Sequence, residues 1–344
     1  MNLSNYKCLV CDQSRFRTYT TYWHCDQCGQ NYPVVAGMPK LLLEENIGQR
    51  DRVLRDIFYN GFLGRFYQYV MPFLALPARL GYWRGWVAYG AIVAAMLALA
   101  GHVAYFFLAH RWHPISLLDA TALILFAGIL LFLLKHKYLL YLFLVAVPVK
   151  ISLTLARFKA EESFLEVHKK LVDELLQRKE TLQVLDISTG TCNSLYRHGW
   201  MKLKAEFTGL DLSETMLRQG LQFMASQKVL VDLVLGSATQ LPFESERFDV
   251  VLNYGALNGY TEPRQALEEM ARVTKPGGLV LFLDEQLYPG ASWIEKFYFQ
   301  RVLSSHNAIH HCPVELMPPS LGDVKVHQIY QFYYLCTARK EGRA

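Results

Sequence analysis

Apolar residues fall into three regimes along the chain. The first 45 residues are mostly polar, with scattered aromatics. From Trp86 to Leu155 the apolar runs are long and almost uninterrupted. From residue 159 onward short apolar runs alternate with amphipathic stretches, the pattern of an α/β fold. Within that last regime Leu182-Gln183-Val184-Leu185-Asp186-Ile187 is an apolar run of strand length. It breaks into the small polar loop Ser188-Thr189-Gly190-Thr191-Cys192-Asn193-Ser194, which leads into a helix. A second strand, Phe207-Thr208-Gly209-Leu210, ends in Asp211. Strand, small-residue loop, helix, strand and acid make half of a nucleotide-binding unit. The loop must be small for a ligand to approach its backbone, and an acid at a strand tip suits ribose hydroxyls. Upstream, Phe164, Leu165, Val167, Leu171, Val172, Leu175 and Leu176 predict an amphipathic helix across 159–181. Downstream, Val324–Tyr330 and Phe332–Arg339 alternate as a closing antiparallel pair.

The middle regime changes the picture. Residues 86–109 contain no Asp, Glu, Lys or Arg, and about 20 apolar residues suffice to cross a hydrocarbon core. His110-Arg111-Trp112-His113-Pro114 interrupts, and a second run extends from Ile115 to Leu134 with only Asp119 inside it. The expectation is a transmembrane helical hairpin over 86–135. Tyr138–Val149 is apolar over only 12 residues; a third span is open if Lys150 snorkels, but it would put the ribbon and the catalytic domain on opposite faces, so residues 136–158 are read as an interfacial or re-entrant segment. Arg65, Arg79 and Arg84 precede the hairpin, and Lys135, Lys137, Lys150, Arg157 and Lys159 follow it. By the positive-inside rule both ends and the catalytic domain are then cytoplasmic, in a multi-pass protein of two spans. Residues 46–85 form a charged, then aromatic lid or interfacial helical segment, with Asp51–Asn60 helical in pattern.

The hydrophobic share of 52% reflects that middle regime, and a net charge of +5 is too modest to argue for nucleic acid. Four of the seven cysteines cluster as Cys8-Leu9-Val10-Cys11 and Cys25-Asp26-Gln27-Cys28. Two C-x-x-C knuckles supply a closed tetrahedral thiolate site, the donor set of structural zinc. A ribbon of residues 1–45 with Cys8, Cys11, Cys25 and Cys28 as ligands needs the metal to fold. The same thiols point to a reducing compartment. The first residues carry neither a basic stretch nor an apolar core, so no secretory signal is expected.

Five motifs in order resemble those of the class I S-adenosylmethionine-dependent methyltransferases. Asp186-Ile187-Ser188-Thr189-Gly190-Thr191-Cys192 stands where that family carries D-x-G-x-G-x-G, with Ser188 and Cys192 replacing two glycines. Gly209–Leu217 matches the second motif. Gly236–Phe243 is similar to the third, with Ser237 in the place of a common Asp. Phe248–Asn253 resembles the fourth strand, and Arg272–Gly278 with Leu279–Phe282 the turn into the fifth. The resemblance implies a Rossmann-like, seven-stranded α/β domain over 159–344, and S-adenosylmethionine as cofactor. It implies that Asp211 holds the ribose, with Asp186 preceding a loop in which Ser188, Gly190 and Thr191 approach the methionine moiety. Leu212, Ser237 and Ala238 flank the adenine, and Asn253 lies where donor and acceptor meet. Tyr59-Asn60 resembles a lid pair of the family; an aromatic helix face packed in the core explains it equally well. The segment after residue 30 looks like the tail of zinc ribbons that accompany or are fused to methyltransferases.

No general base is readable, so the catalytic residues are left unassigned. His306, His310 and His311 are candidates that read more simply as surface residues. The reading that follows is a membrane-anchored methyltransferase acting on a lipid-embedded or lipid-like acceptor: a quinone precursor, a phospholipid or another polar lipid. Its expected partners are the lipid bilayer and that acceptor, with room for a protein on the ribbon. Two readings stand beside it. An RNA methyltransferase would use the ribbon for recognition, although Asn253-Tyr254-Gly255 lacks the Pro-Pro of base-amino methylators. A non-catalytic scaffold would explain the replaced glycines.

Overall fold

The computed structural model describes residues 3–61, 64, 164–304, 307–330 and 332–342, with isolated positions 98, 101, 121, 124, 127 and 128. The chain divides into two units, one of Met1–Phe66 with Phe158–Ala344 and the other of Tyr67–Arg157. The residues expected to form the hairpin (86–135) and the segment 136–158 lie, isolated positions apart, outside the described residues.

The first unit is built on a seven-stranded sheet in the order β10-β11-β9-β8-β5-β6-β7. Its strands are β5 (Leu182–Ile187), β6 (Ala205–Asp211), β7 (Asp232–Leu235), β8 (Phe248–Tyr254), β9 (Thr274–Glu285), β10 (Leu321–Tyr330) and β11 (Tyr333–Lys340). The run from β9 through β8, β5 and β6 to β7 is parallel, and β11 pairs antiparallel with both β9 and β10. Parallel strands are covered on both faces, which explains why β5 and β8 read as nearly continuous apolar runs. Two apolar clusters fill the faces, one around Leu185, Ile187, Val251 and Phe282, the other around Val184, Leu252, Leu281 and Trp200. Helices α2 (Phe164–Leu176), α3 (Asn193–Arg197), α4 (Glu214–Ser226), α5 (Pro263–Val273) and α6 (Trp293–Tyr298) connect or flank the strands; α1 (Gln49–Val53) lies ahead of them. Strand order reverses between β5 and β8, so the carboxyl ends of these neighbours form the crevice where open α/β sheets bind ligands.

Residues 16–39 form a second sheet of four short strands in sequence order: β1 (Phe16–Thr18), β2 (Tyr22–Cys25), β3 (Asn31–Val35) and β4 (Met38–Pro39). Sequence alone presents this as a small unit dependent on its metal. In the structure it shares a core with the large sheet. Lys40 bridges in parallel to Leu235 on the outermost strand β7, and Tyr6 bridges to Phe243. The Tyr6 ring meets Trp23 edge-on at 5.2 Å and Phe243 at 5.4 Å, and all three are buried. The N-terminal segment thereby covers a sheet edge that would otherwise expose unpaired backbone.

One expectation is corrected. The two-span, multi-pass placement with both ends and the catalytic domain cytoplasmic is not carried by the structure. Among the described residues no helix is long and apolar enough to cross a membrane. The longest described helices, α2 and α4, have 13 residues each. At 1.5 Å per residue each reaches about 20 Å, short of the roughly 30 Å of a hydrocarbon core.

Candidate functional site

The loop after β5 is held in an unusual backbone. Ser188, Gly190 and Cys192 all have positive φ, at 54°, 54° and 58°. Glycine accepts that region freely, whereas Ser and Cys each cost about 1–2 kcal/mol there. The facing elements have made room for the extra atoms. A Cβ on Gly209 of β6 would sit 2.8 Å from Thr189 Cγ2, and one on Gly220 of α4 would sit 3.0 Å from Cys192 Sγ and 3.1 Å from Gly190 O. The side chains of Thr189 and Cys192 are thus accommodated by glycines across from them.

Asp211 closes β6 beneath this loop. Its Oδ2 accepts the Gly190 N–H at 2.8 Å and its Oδ1 the Ser213 N–H at 2.8 Å. Asp186 lies one strand over; its Oδ2 accepts the Thr189 hydroxyl at 2.6 Å, while its buried Oδ1 has no partner among the described residues. Burial pushes both carboxyls up, Asp186 to about 7 and Asp211 to about 6. Ser213 caps α4 by accepting the Met216 N–H, and it donates its hydroxyl to Asn60 Oδ1 at 2.8 Å. Asn60, flagged in sequence beside Tyr59, therefore reaches the second motif; Tyr59 itself is exposed. The same N-terminal segment makes two further contacts. Asp51 Oδ1 accepts the Thr261 N–H at 3.2 Å, and the Gln219 amide donates to Gly64 O at 2.6 Å.

On β7 and its loop, Ser237 and Ala238 are buried, and the Ser237 hydroxyl bonds to that of Thr239 at 2.8 Å. Leu212 follows Asp211 and is half-buried; Thr191 is buried and accepts from the Asn193 amide at 2.6 Å. Asn253 is fully buried near the end of β8, and its Nδ2 donates to Ile187 O at 3.1 Å and to the Tyr260 hydroxyl at 2.7 Å. Asp186, Ser188, Gly190, Asp211 and Asn253 converge on the β5/β8 crevice. Tyr260 and Asp51 join them without any signal in the sequence.

A second polar group lies behind the crevice. Tyr254 accepts the indole N–H of Trp200 at 2.8 Å, and its oxygen lies 2.8 Å from His168 Nε2. His168 Nδ1 faces the Phe164 carbonyl at 2.9 Å, which only accepts. Nδ1 therefore carries the proton, and the Tyr254 hydroxyl donates to Nε2. Burial pulls His168 down to about 4, keeping it neutral. This group ties α2 to β8. The histidines singled out in sequence are elsewhere: His310 is exposed, His311 is exposed and pairs with Glu315 at 3.0 Å, and His306 lies outside the described residues.

Cys8, Cys11, Cys25 and Cys28 bring their sulfurs within 4.8 Å of one another, with Cys8–Cys28 and Cys11–Cys25 at 3.6 Å. Zn–S bonds of about 2.3 Å in a tetrahedron require S···S edges of about 3.8 Å, so the donor set fits. The Tyr32 hydroxyl accepts the Leu9 N–H at 2.9 Å, which turns its own proton toward Cys8 Sγ at 3.3 Å. Such an outer contact orients a ligand thiolate.

The residues present also fit a nucleoside carrying an amino-acid arm. A carboxylate has about four acceptor positions; Asp211 spends some of them on the backbone of Gly190 and Ser213, and what is left suits a hydroxyl. Asp186 Oδ1 and Asn253 Oδ1 are buried acceptors with no donor among the described residues. They stand on opposite faces of the sheet, and an ammonium group would satisfy the Asn253 oxygen.

Residues 185–282 match the family model described as a methyltransferase domain, and the seven-stranded Rossmann-like sheet is the fold of the S-adenosylmethionine-dependent enzymes. Among curated proteins, the chain is similar to demethylmenaquinone methyltransferase of Staphylococcus epidermidis, at 34% identity over 141 residues, covering 40% of this chain and 58% of that protein. The enzyme of the same name from Bacillus cereus is 36% identical over 118 residues, covering 31% and 50%. The chain thus spans between half and three-fifths of the length of these relatives. Among solved structures, a Haemonchus contortus phosphoethanolamine N-methyltransferase overlays with a TM-score of 0.42 at 16% identity, covering 51% of this chain and 52% of that one.

Proposed function

We propose that the chain transfers a methyl group from S-adenosylmethionine to a quinone-like, lipid-like small acceptor, and that its four N-terminal thiolates hold a structural zinc. The observation that carries the reading is the Asp211 carboxylate held against the Gly190 loop beside the buried, unsatisfied Asn253 oxygen at the carboxyl ends of β5 and β8, in a chain similar over 141 residues to a demethylmenaquinone methyltransferase. When bound, the cofactor supplies an electrophilic methyl on a sulfonium. The protein's part is alignment rather than strong acid or base catalysis. Asp211 would hold the ribose; Asp186 and Asn253 would orient the amino-acid arm; Ala238 and Leu212 would flank the base. The scaffold alternative rests on the replaced glycines. Gly220 weighs against it, because a decayed loop has no reason to be met by a glycine that fits the sulfur of Cys192.

The test is calorimetric titration with S-adenosylhomocysteine, followed by transfer of labelled methyl to a demethylated quinol. Wild type should bind the product analogue. Asp211→Ala should weaken binding at least tenfold, since two hydrogen bonds to a charged group are worth about 1.5–3 kcal/mol each. No binding by folded wild type at millimolar ligand would overturn the enzyme reading. Binding without transfer to any quinol would overturn only the acceptor.

A further inference from the structure

We infer that Tyr260 is a positioning residue for the amino-acid arm of the methyl donor, acting through Asn253 and Ser188; this rests on the cofactor reading above. Hydrogen-bond accounting carries the inference. Ile187 O is a carbonyl and can only accept, so the Asn253 atom 3.1 Å from it is the amide nitrogen. The same nitrogen lies 2.7 Å from the Tyr260 hydroxyl, which consumes its second proton. Both Asn253 donors are spent on protein, and its carbonyl oxygen is left buried and without a donor. Tyr260 thus helps to fix which end of the amide is presented.

Tyr260 also reaches the cofactor loop. Its oxygen lies 2.7 Å from Ser188 Oγ. The two hydroxyls share one bond, whichever of them donates, so one O–H proton of the pair has no protein acceptor among the described residues. On the side of Tyr260 the crevice therefore offers one orphan acceptor, Asn253 Oδ1, and one spare hydroxyl donor. Asp186 pairs with Leu252 and Ile187 with Asn253 across β5 and β8, so Asp186 and Asn253 stand on opposite faces of the sheet, and the Asn253 oxygen is the acceptor on the side of Tyr260. An ammonium donates to such an acceptor and a carboxylate accepts from such a hydroxyl, which together describe an α-amino acid. The neighbour Thr261 gives its N–H to Asp51, so the Tyr260 backbone is held from the N-terminal segment as well. Gly48 must lack a side chain for this approach, because a Cβ there would lie 2.4 Å from Thr261 Oγ1. Ser188 thereby gains a role that the glycine it replaces could not fill.

The experiment compares two ligands. S-adenosylhomocysteine has the amino-acid arm; 5′-methylthioadenosine keeps the adenosine and thioether but lacks it. In titration calorimetry, Tyr260→Phe and Ser188→Gly should each weaken S-adenosylhomocysteine about tenfold and leave methylthioadenosine within twofold of wild type. Ser188→Gly relieves a positive-φ serine, so a loss there is not a folding defect; thermal melting of both variants checks this. Equal weakening of both ligands would show that Tyr260 only shapes the pocket and would overturn the inference. Unchanged S-adenosylhomocysteine affinity in both variants would overturn it too. Wild type that binds methylthioadenosine but gains nothing from the arm would sink this inference and spare the nucleoside site. Binding of neither ligand would sink the cofactor reading itself.

Discussion

Replacing Tyr6 by Ala tests whether the N-terminal ribbon and the methyltransferase sheet are one folding unit. Tyr6 is 2% exposed and packs against Trp23 of the ribbon and Phe243 of the domain. It also bridges to Phe243 through the backbone. Truncating a buried aromatic to Ala costs about 3–5 kcal/mol, a figure that contains the edge-on ring terms of roughly 0.5–1.5 kcal/mol each. A unit of this size loses about 2–4 °C in Tm per kcal/mol, so the fall should be about 6–20 °C. In scanning calorimetry the variant should keep one cooperative transition for ribbon and domain, shifted down as a whole. Chelating the metal should shift the same transition, and it should weaken cofactor binding. The reason is local: Gln240, in the loop after β7, bonds to Leu9 O of the first knuckle, and Lys7 N–H bonds to Pro242 O. A new low-temperature transition with the main one unmoved would refute the shared-core argument and restore the ribbon as an independent module.

Two further predictions concern the crevice. Gly220→Ala places a Cβ 3.0 Å from Cys192 Sγ and 3.1 Å from Gly190 O, so it should destabilise by about 1–3 kcal/mol in a denaturant melt. Adding Cys192→Gly should recover part of that loss, since it removes the sulfur but not the Gly190 carbonyl; strict additivity would contradict the contact. S-adenosylhomocysteine should bind more tightly as pH rises from about 5 to 8, with proton release, because Asp186 (about 7) and Asp211 (about 6) must ionise to accept from it. Ligand-free stability should run the other way. Folding raises both carboxyls above the unfolded value of about 3.9, so the folded state holds the extra protons and stability falls as pH climbs from about 4 to 7. A flat profile in wild type, or one as steep in Asp186→Asn as in wild type, would contradict the assignment.

The strands and the acid at the tip of β6 were legible because they are local. A buried parallel strand must be apolar along its whole length, as in Val184–Ile187 and Val250–Leu252, and a loop that a ligand approaches must be small. The four cysteines were legible because knuckle spacing alone sets their geometry. Sequence by itself thus determined the fold class, the thiolate cluster and the members of the first two motifs. The tertiary structure decided the rest, for reasons of distance along the chain. That Gly220 makes room for Cys192, or that Asn60 bonds to Ser213, depends on residues 28 and 153 positions apart, whose pairing no local periodicity encodes. The same holds for Tyr260, which looks like any loop aromatic until β8 brings it onto Ser188, and for Tyr6, whose partner Phe243 lies across the domain boundary. The apolar runs of residues 86–134 mark the opposite limit. Hydropathy measures only how readily a segment leaves water, and an apolar run serves a membrane or a protein interior on the same terms, so composition alone does not say which one receives it.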